Sequence, residues 1–317
     1  MKLTHLRHIT VVAERGSLRA AARHLGTAQP AITRSIREVE HELGVALFER
    51  RPRGVVLTPM GQVFLRRAAS IQNEMRLATD EIAQLRGFAT GQVSVVLSSA
   101  VQMALLPQVI APFRKRFPDV HLGLNEGTFQ MAERSVLEGA FDFYVGPLPE
   151  LPSGGDLLVE KLFDNTRLVF ARKGHPKAGA RSLRELADAR WLRTLVAVDK
   201  SAELAHVFEE HGLEPPRVEM TAASTIGILL AVAHSDLLTM LPKQWLAFPA
   251  TRELLQPIDI VEPLAAPPIC IVCRARLPLT PAAEFLADLF RRASVRHVRE
   301  QAQRSLSDAA TASQKRS

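Results

Sequence analysis

Tyrosine occurs once in this 317-residue chain, as Tyr144, and aromatic residues make up only 5% of it. Binding of single-stranded nucleic acid by stacking bases on successive aromatic rings is therefore excluded as its main chemistry. Cysteine is nearly as scarce. Cys270 and Cys273 are too few for a disulfide framework. They lie in an apolar, strand-like run, Pro268-Ile269-Cys270-Ile271-Val272-Cys273, where residues three apart point to opposite faces. The pair reads as packed or surface thiols, not as a metal or redox site. Long apolar runs are also missing: nothing approaches the roughly 18 residues of a membrane span. The short stretch Ile9 to Ala13 is interrupted by Glu14 and Arg15. No signal peptide is expected, which predicts a cytoplasmic protein with no membrane partner. The chain has no glycine-rich phosphate loop, zinc-protease helix or nucleophile elbow. His121, His206, His211 and His234 are scattered without ligand spacing. No catalytic residue, cofactor or metal is expected.

What remains is an ordinary globular composition, 47% hydrophobic and 23% charged, in a chain long enough for about two domains. The net charge of +7 is uneven: residues 1–58 hold ten Lys/Arg against five Asp/Glu, and residues 291–317 hold seven against two. The middle, 59–290, holds 23 against 26. A basic end on a slightly acidic body implies a polyanionic partner. At the C-terminus the bland reading is a solvated tail over 299–317, because Gln301 to Ser317 is polar and Ser/Ala-rich.

At the N-terminus, Leu3, Leu6, Ile9 and Val12-Ala13 have helical spacing, ended by Gly16. Ser17 caps a second helix carrying Ala20-Ala21-Ala22 and Leu25, closed by Gly26. Pro30 stands early in a third helix that turns Ile32, Ile36, Val39 and Leu43 inward and Thr33, Arg34 and Arg37 outward. Two short helices joined by a tight turn, over about residues 17–37, match a helix-turn-helix. The run Leu47-Phe48-Glu49-Arg50-Arg51-Pro52-Arg53-Gly54-Val55-Val56-Leu57 reads as two strands around a basic turn, a wing whose arginines reach phosphates. Any one arginine alone would be surface charge; five beside this pattern favour duplex DNA.

The run Ser17-Leu18-Arg19-Ala20-Ala21-Ala22-Arg23-His24-Leu25, then Gln29 through Ile36, Glu40-His41-Glu42-Leu43-Gly44 and Leu47-Phe48-Glu49-Arg50, resembles the LysR-family DNA-binding signature. It covers nearly all of residues 1–58. The resemblance implies a recognition helix starting near Gln29 and a DNA-facing set of Ser17, Arg19, Gln29, Pro30, Thr33, Arg34, Arg37, Arg50, Arg51 and Arg53. Ala28 departs from the serine or threonine common in the family, which removes a capping hydroxyl that Thr27 is placed to replace.

Thr58-Pro59 is a cap followed by proline at the first helical position. Met60, Phe64, Ala68, Ile71, Met75, Ala78, Ile82 and Leu85 then make a heptad-type seam over residues 59–90. It suits pairing with a second helix or packing on its own domain; symmetry favours pairing, which sets two recognition helices on two half-sites. LysR regulators are similarly built and usually assemble as tetramers, implying a dimer of dimers on double-stranded promoter DNA and contact with RNA polymerase.

From Val93 on, strands and helices alternate. Strands are expected at 93–97, 121–124, 141–145, 166–171, 217–221, 237–240 and 269–273. Helices are expected at 102–117, 130–138, 183–189, 202–211, 225–233 and 281–297. This predicts an α/β effector domain over 91–298 with parallel sheets. The family implies two lobes of periplasmic-binding-protein type, 91–162 with 268–298, and 163–267. Ligands of open α/β sheets sit beyond strand carboxyl ends, beside helix N-termini. Ser98, Ser99, Thr128, Ser224 and Thr225 fall at such places; each alone is commonly a helix cap, but together they imply an anion-binding cleft. Phe129, Gln130, Gly146, Ser201 and Thr221 are further candidates, and Ser99 and Thr128 fall where LysR regulators hold effectors. Residues 232–242 are similar to toluenesulfonate-type and amino-acid-catabolism regulators, which implies a small organic acid. The alternatives are a cytosolic ligand-binding protein or an α/β enzyme without a DNA role.

Overall fold

The computed structural model describes residues 1–52, 54–152, 155–194 and 202–314, with backbone alone for 202–203 and 304–314. Arg53 and Ser201 lie outside the described residues. The chain divides into two compact units, Met1–Ile82 with Glu138–Ala140, and Ala83–Leu137 with Phe141–Ser317.

In the first unit, α1 (Leu3–Arg15), α2 (Leu18–Leu25) and α3 (Gln29–Leu43) are followed by a hairpin, β1 (Phe48–Arg51) and β2 (Gly54–Leu57), and then α4 (Pro59–Leu85). Ile9, Val12, Ala21, Ala22, Ile32, Ile36, Val39 and Leu47 form its core. The alanines of α2 leave room for α1 and α3 to close on it. Leu3 and Leu43, expected inside, are 49% and 41% exposed. Each stands in a terminal helical turn, beyond the reach of the three-helix core. The wing pairs Phe48 with Leu57 and Arg51 with Gly54. It is tied to the end of α1, where Val55 N donates to Gly16 O at 2.9 Å. A side chain at Gly54, whose φ is +144°, would collide with that carbonyl.

Thr58 caps α4: its hydroxyl oxygen accepts from Gly61 N at 2.9 Å while donating to Ala46 O at 2.7 Å. The apolar seam of α4 has two fates. Phe64 packs on the core and Ala68 is buried. Met60, Ile71, Met75, Ile82 and Leu85 are 57%, 45%, 48%, 60% and 72% exposed, and Val63 joins them.

The second unit holds β3 (Thr90–Leu97), α5 (Ser99–Ala104), α6 (Leu106–Arg116), β4 (Asp119–Glu126), α7 (Phe129–Leu137), β5 (Phe143–Pro147) and β6 (Leu157–Arg172). After a 3₁₀ turn, Leu183–Leu186, come β7 (Arg190–Thr194), α8 (Ala202–Glu210), β8 (Arg217–Ala222), α9 (Thr225–Ala233) and β9 (Leu237–Pro242). A second 3₁₀ turn, Lys243–Ala247, leads to α10 (Pro249–Leu254), β10 (Leu255–Ile258), β11 (Ala265–Arg274) and α11 (Pro281–Gln314). The strands form a nine-stranded sheet in the order β4-β3-β5-β11-β6-β9-β7-β8, with β10 also on β6.

The sheet is mixed, not simply parallel. β3 pairs in parallel with β4 and β5, and β7 with β8 and β9. β11 is antiparallel to β5 and β6, and β6 is antiparallel to β9 and β10. β6 is long enough to serve two lobes: residues 157–166 pair with β11 and residues 167–172 pair with β9 and β10. One lobe closes its core with α11, burying Ala282, Ala283, Leu286, Ala287 and Phe290 with Phe113 of α6. The other buries Trp191 with Phe208, and Trp245 with Phe170. Cys270 joins the core beside Tyr144 while Cys273 packs on the α11 side, so the two thiols diverge.

Several elements differ from the sequence pattern. The helix expected over 102–117 breaks at Leu105, because Pro107 lacks the N–H a continuous helix needs and disfavours helical backbone before it. The helix expected at 183–189 is a single 3₁₀ turn. α11 continues to Gln314 across the expected tail, since no glycine or proline interrupts it after Pro281. Among the described residues no helix is long and apolar enough to cross a membrane.

Candidate functional site

The first unit presents a polar face on α3. Its apolar side is spent on the core, which forces Gln29, Pro30, Thr33, Arg34 and Arg37 together along an open groove with Glu38 and His41. The Thr33 hydroxyl donates to Gln29 O at 3.1 Å, one turn back, leaving its lone pairs outward. Arg34 is 82% exposed and donates from Nε to Glu38 Oε1 at 3.0 Å. A pair so wetted contributes at most about 1 kcal/mol and gives way readily to a stronger anion. Ala28 makes no side-chain cap. The helix starts instead on the fixed backbone of Pro30, with Ala31 N donating to Ala28 O at 3.0 Å.

Ser17 has a structural task. Its hydroxyl oxygen accepts from Ala20 N at 3.4 Å, capping α2, and Arg19 projects from the exposed side of the same helix. On the wing, Arg50 is exposed, and Arg51 donates to Glu49 at 2.8 Å with 62% of its side chain open to solvent.

The second unit holds a cleft of about 110 Å³. Ser98, Ser99, Thr128, Phe129 and Gln130 contribute one wall, at the starts of α5 and α7. Ser98 is buried, and its hydroxyl oxygen caps α5 by accepting from Val101 N at 3.4 Å. Ser99 and Thr128 are the hydroxyls more open to the cleft. Gly146, Thr221, Ser224 and Thr225 are not among its walls. Thr221 is exposed on β8, at the outer edge of the sheet. Ser224 caps α9 by accepting from Gly227 N at 3.0 Å. The Thr225 hydroxyl donates to the Glu126 carboxylate across 99 residues of sequence.

The opposite wall was not foreseen. It is built from Asn165, Arg167, Arg193, Met240 and Trp245. Two guanidiniums face the cleft and no acidic side chain lines it among the described residues. Burial pulls the Arg167 pKa down to about 10. Tyr144, at the floor, donates to Pro147 O at 3.1 Å. Its hydroxyl is held protonated by burial and by neighbouring Cys270. The available signal was an arginine inside otherwise apolar strand runs, Thr166-Arg167-Leu168-Val169-Phe170 and Trp191-Leu192-Arg193. Among the described residues no cluster of three or more His, Cys, Asp or Glu is arranged to hold a metal ion.

Comparison with known proteins gives both halves a family. Residues 3–62 match the bacterial regulatory helix-turn-helix protein, lysR family. Residues 86–294 match the LysR substrate binding domain. The HTH-type transcriptional regulator TdcA of Escherichia coli (strain K12) is 28% identical over 265 residues, 83% of this chain and 85% of that protein. The SDS degradation transcriptional activation protein of a Pseudomonas species is 27% identical over 289 residues, 90% of this chain and 94% of that protein. The crystal structure of CbnR, a LysR family transcriptional regulator, superposes with a TM-score of 0.69 at 22% identity, over 93% of this chain and 99% of CbnR. The chain belongs to the LysR family: it is a DNA-binding transcriptional regulator with an effector-binding domain, and not an enzyme.

Proposed function

We propose that the chain works in the cytoplasm as a dimer, paired again into a tetramer, on an interrupted near-palindrome in promoter DNA. Residues 1–58 bind DNA, 59–90 join the protomers and 91–298 sense the effector. The DNA-facing set is Gln29, Pro30, Thr33, Arg34 and Arg37, with Arg19, Arg50, Arg51 and Arg53 on flanking phosphates. The single observation that supports it most is the exposed polar and basic face of α3, turned out while Ile32, Ile36 and Val39 are buried. A structure of CbnR bound to its target DNA lends the DNA reading further weight through its fold. The exposed apolar stripe of α4, Met75 to Leu85 above all, supports pairing.

The effector is a small organic acid held in the cleft by Ser99, Thr128 and the arginines of the facing wall. The likeness of residues 232–242 to toluenesulfonate-type regulators agrees with such an acid. By closing the lobes it favours one arrangement of the assembly, which changes DNA bending and the access of RNA polymerase. A footprint on the promoter beside its own gene tests this. The predicted outcome is two protected half-sites whose spacing or bending changes with effector. A footprint indifferent to every organic acid tried contradicts the sensing half of the proposal.

A further inference from the structure

At the mouth of the cleft a side chain of one lobe meets a side chain of the other. Glu126 ends β4, in the lobe whose core holds Val120, and Thr225 begins α9, in the lobe whose core holds Ile228. The Thr225 hydroxyl donates to the Glu126 carboxylate. Thr128, two residues past Glu126, and Ile228, three past Thr225, both line the cleft, although neither bonded residue does. β4 and β8 are the two ends of the strand order, and α9 follows β8, so this bond joins parts that no ladder connects.

Each partner is fixed within its own lobe. Glu126 stands opposite Leu97 in the β3–β4 ladder, and Gly127 N donates to Leu97 O at 3.2 Å. α9 is anchored by buried Ile228, Leu229 and Val232. Its cap is supplied by Ser224, whose oxygen accepts from Gly227 N at 3.0 Å, so the Thr225 hydroxyl is not needed to start the helix. A carboxylate beside the first turn of α9 also meets the positive end of the helix dipole. With both ends held, the bond depends on the spacing of the lobes and not on the wandering of a loop.

We propose that Glu126 and Thr225 form a latch across the cleft mouth that holds the lobes together before any effector binds. The inference rests on the lobes moving against each other, as the proposed sensing requires, and adds the residue pair that sets where that equilibrium lies. Glu126 is exposed and Thr225 half-buried. A bond so wetted shifts an equilibrium by a factor of about two to five. In a two-state protein that factor passes to the apparent affinity of any ligand that needs the closed form. The pair tunes the response without touching the ligand.

The test is hydrogen exchange of the full chain without effector, read in peptides over 98–104 and 128–133 at the cleft and over 282–290 in the core of α11. Thr225→Val keeps the side-chain shape and removes the hydroxyl. That variant and Glu126→Ala are each expected to speed exchange at the cleft about two- to fivefold and to leave 282–290 unchanged. Thr225→Ser keeps the hydroxyl and should exchange like the parent. The double variant, Glu126→Ala with Thr225→Val, should be no faster than either single one, because both act through one bond. Additive effects, acceleration confined to α9, or equal acceleration over 282–290 overturns the latch. Single variants that exchange like the parent overturn it too. In that case, cleft peptides that open faster than 282–290 show that the lobes move and only the latch falls. Cleft peptides protected as strongly as 282–290 in every variant remove lobe closure as the sensing step along with the latch.

Discussion

Gly146 lies directly against the Tyr144 side chain: a Cβ there would fall inside contact distance of Tyr144 Oη and 2.9 Å from Ser98 Cβ. The glycine therefore supports the cleft from behind and does not line it. Gly146→Ala displaces a tyrosine that is bonded to Pro147 O at 3.1 Å and forms the cleft floor. Overpacking of this kind costs about 1–3 kcal/mol. We expect a lower melting temperature and weaker effector binding, with DNA retention unchanged. A melting temperature equal to that of the parent chain shows that Tyr144 has room to move, against this packing.

Glu38 holds Arg34 at 3.0 Å, so on the proposed DNA-binding face it competes with DNA for the guanidinium. Arg34→Ala should reduce promoter affinity by about 1–3 kcal/mol if the arginine reaches a base edge, or lower the salt slope by about one if it reaches a phosphate. Either way the stability should stay within about 0.5 kcal/mol of the parent's. Glu38→Gln removes the charge that holds Arg34, leaving only a neutral acceptor, and should tighten DNA binding. Salt-dependent anisotropy titrations separate these outcomes, and weaker binding by Glu38→Gln contradicts the competition.

On α4, Met75 and Ile82 are 48% and 60% exposed in the outward part of its apolar stripe. Ile82→Asp places a charge in the proposed seam without touching the folded core. Sedimentation should show dissociation to monomers at micromolar concentration and loss of cooperative DNA binding, with a retained far-ultraviolet spectrum. A variant that sediments like the parent removes α4 from the interface.

Histidine sets a pH dependence in the DNA-binding unit. Burial, then the positive charges of His5 and Arg7, push the His8 pKa below its ordinary 6.5. Its Nδ1 lies 2.8 Å from Ser35 Oγ. The unfolded chain binds the proton more readily, so His8 subtracts stability as pH falls through about 6.5 and leaves it flat above. The melting temperature should be lower at pH 5.5 than at pH 7.5, and His8→Gln should narrow that difference. An unchanged difference assigns the effect elsewhere.

The DNA-binding half was legible because its information is local. Ser17, Gly26 and Pro30 mark helix ends, and Ile32, Ile36 and Val39 mark the buried face, within one short stretch of chain. The cleft was half legible. Ser98, Ser99 and Thr128 stand where strands hand over to helices, a pattern readable without the sheet order. Arg167 and Arg193 come from strands separated in sequence and joined only through β9. No local periodicity brings them together. The antiparallel β6 and β11 were hidden for the same reason, since strand direction is decided by pairing and not by composition. Ser224 and Thr225 followed the local rule, yet they line no wall of the cleft.

The account's central claim is that the face from Gln29 to Arg37 reads promoter DNA. Fluorescence anisotropy with a labelled fragment from upstream of the gene, against a random duplex of equal length, tests it most directly. The predicted result is a preference of at least about a thousandfold at moderate salt, falling steeply in absolute affinity as salt rises. Equal affinity for both duplexes by the folded, assembled protein, with and without small acids, contradicts it.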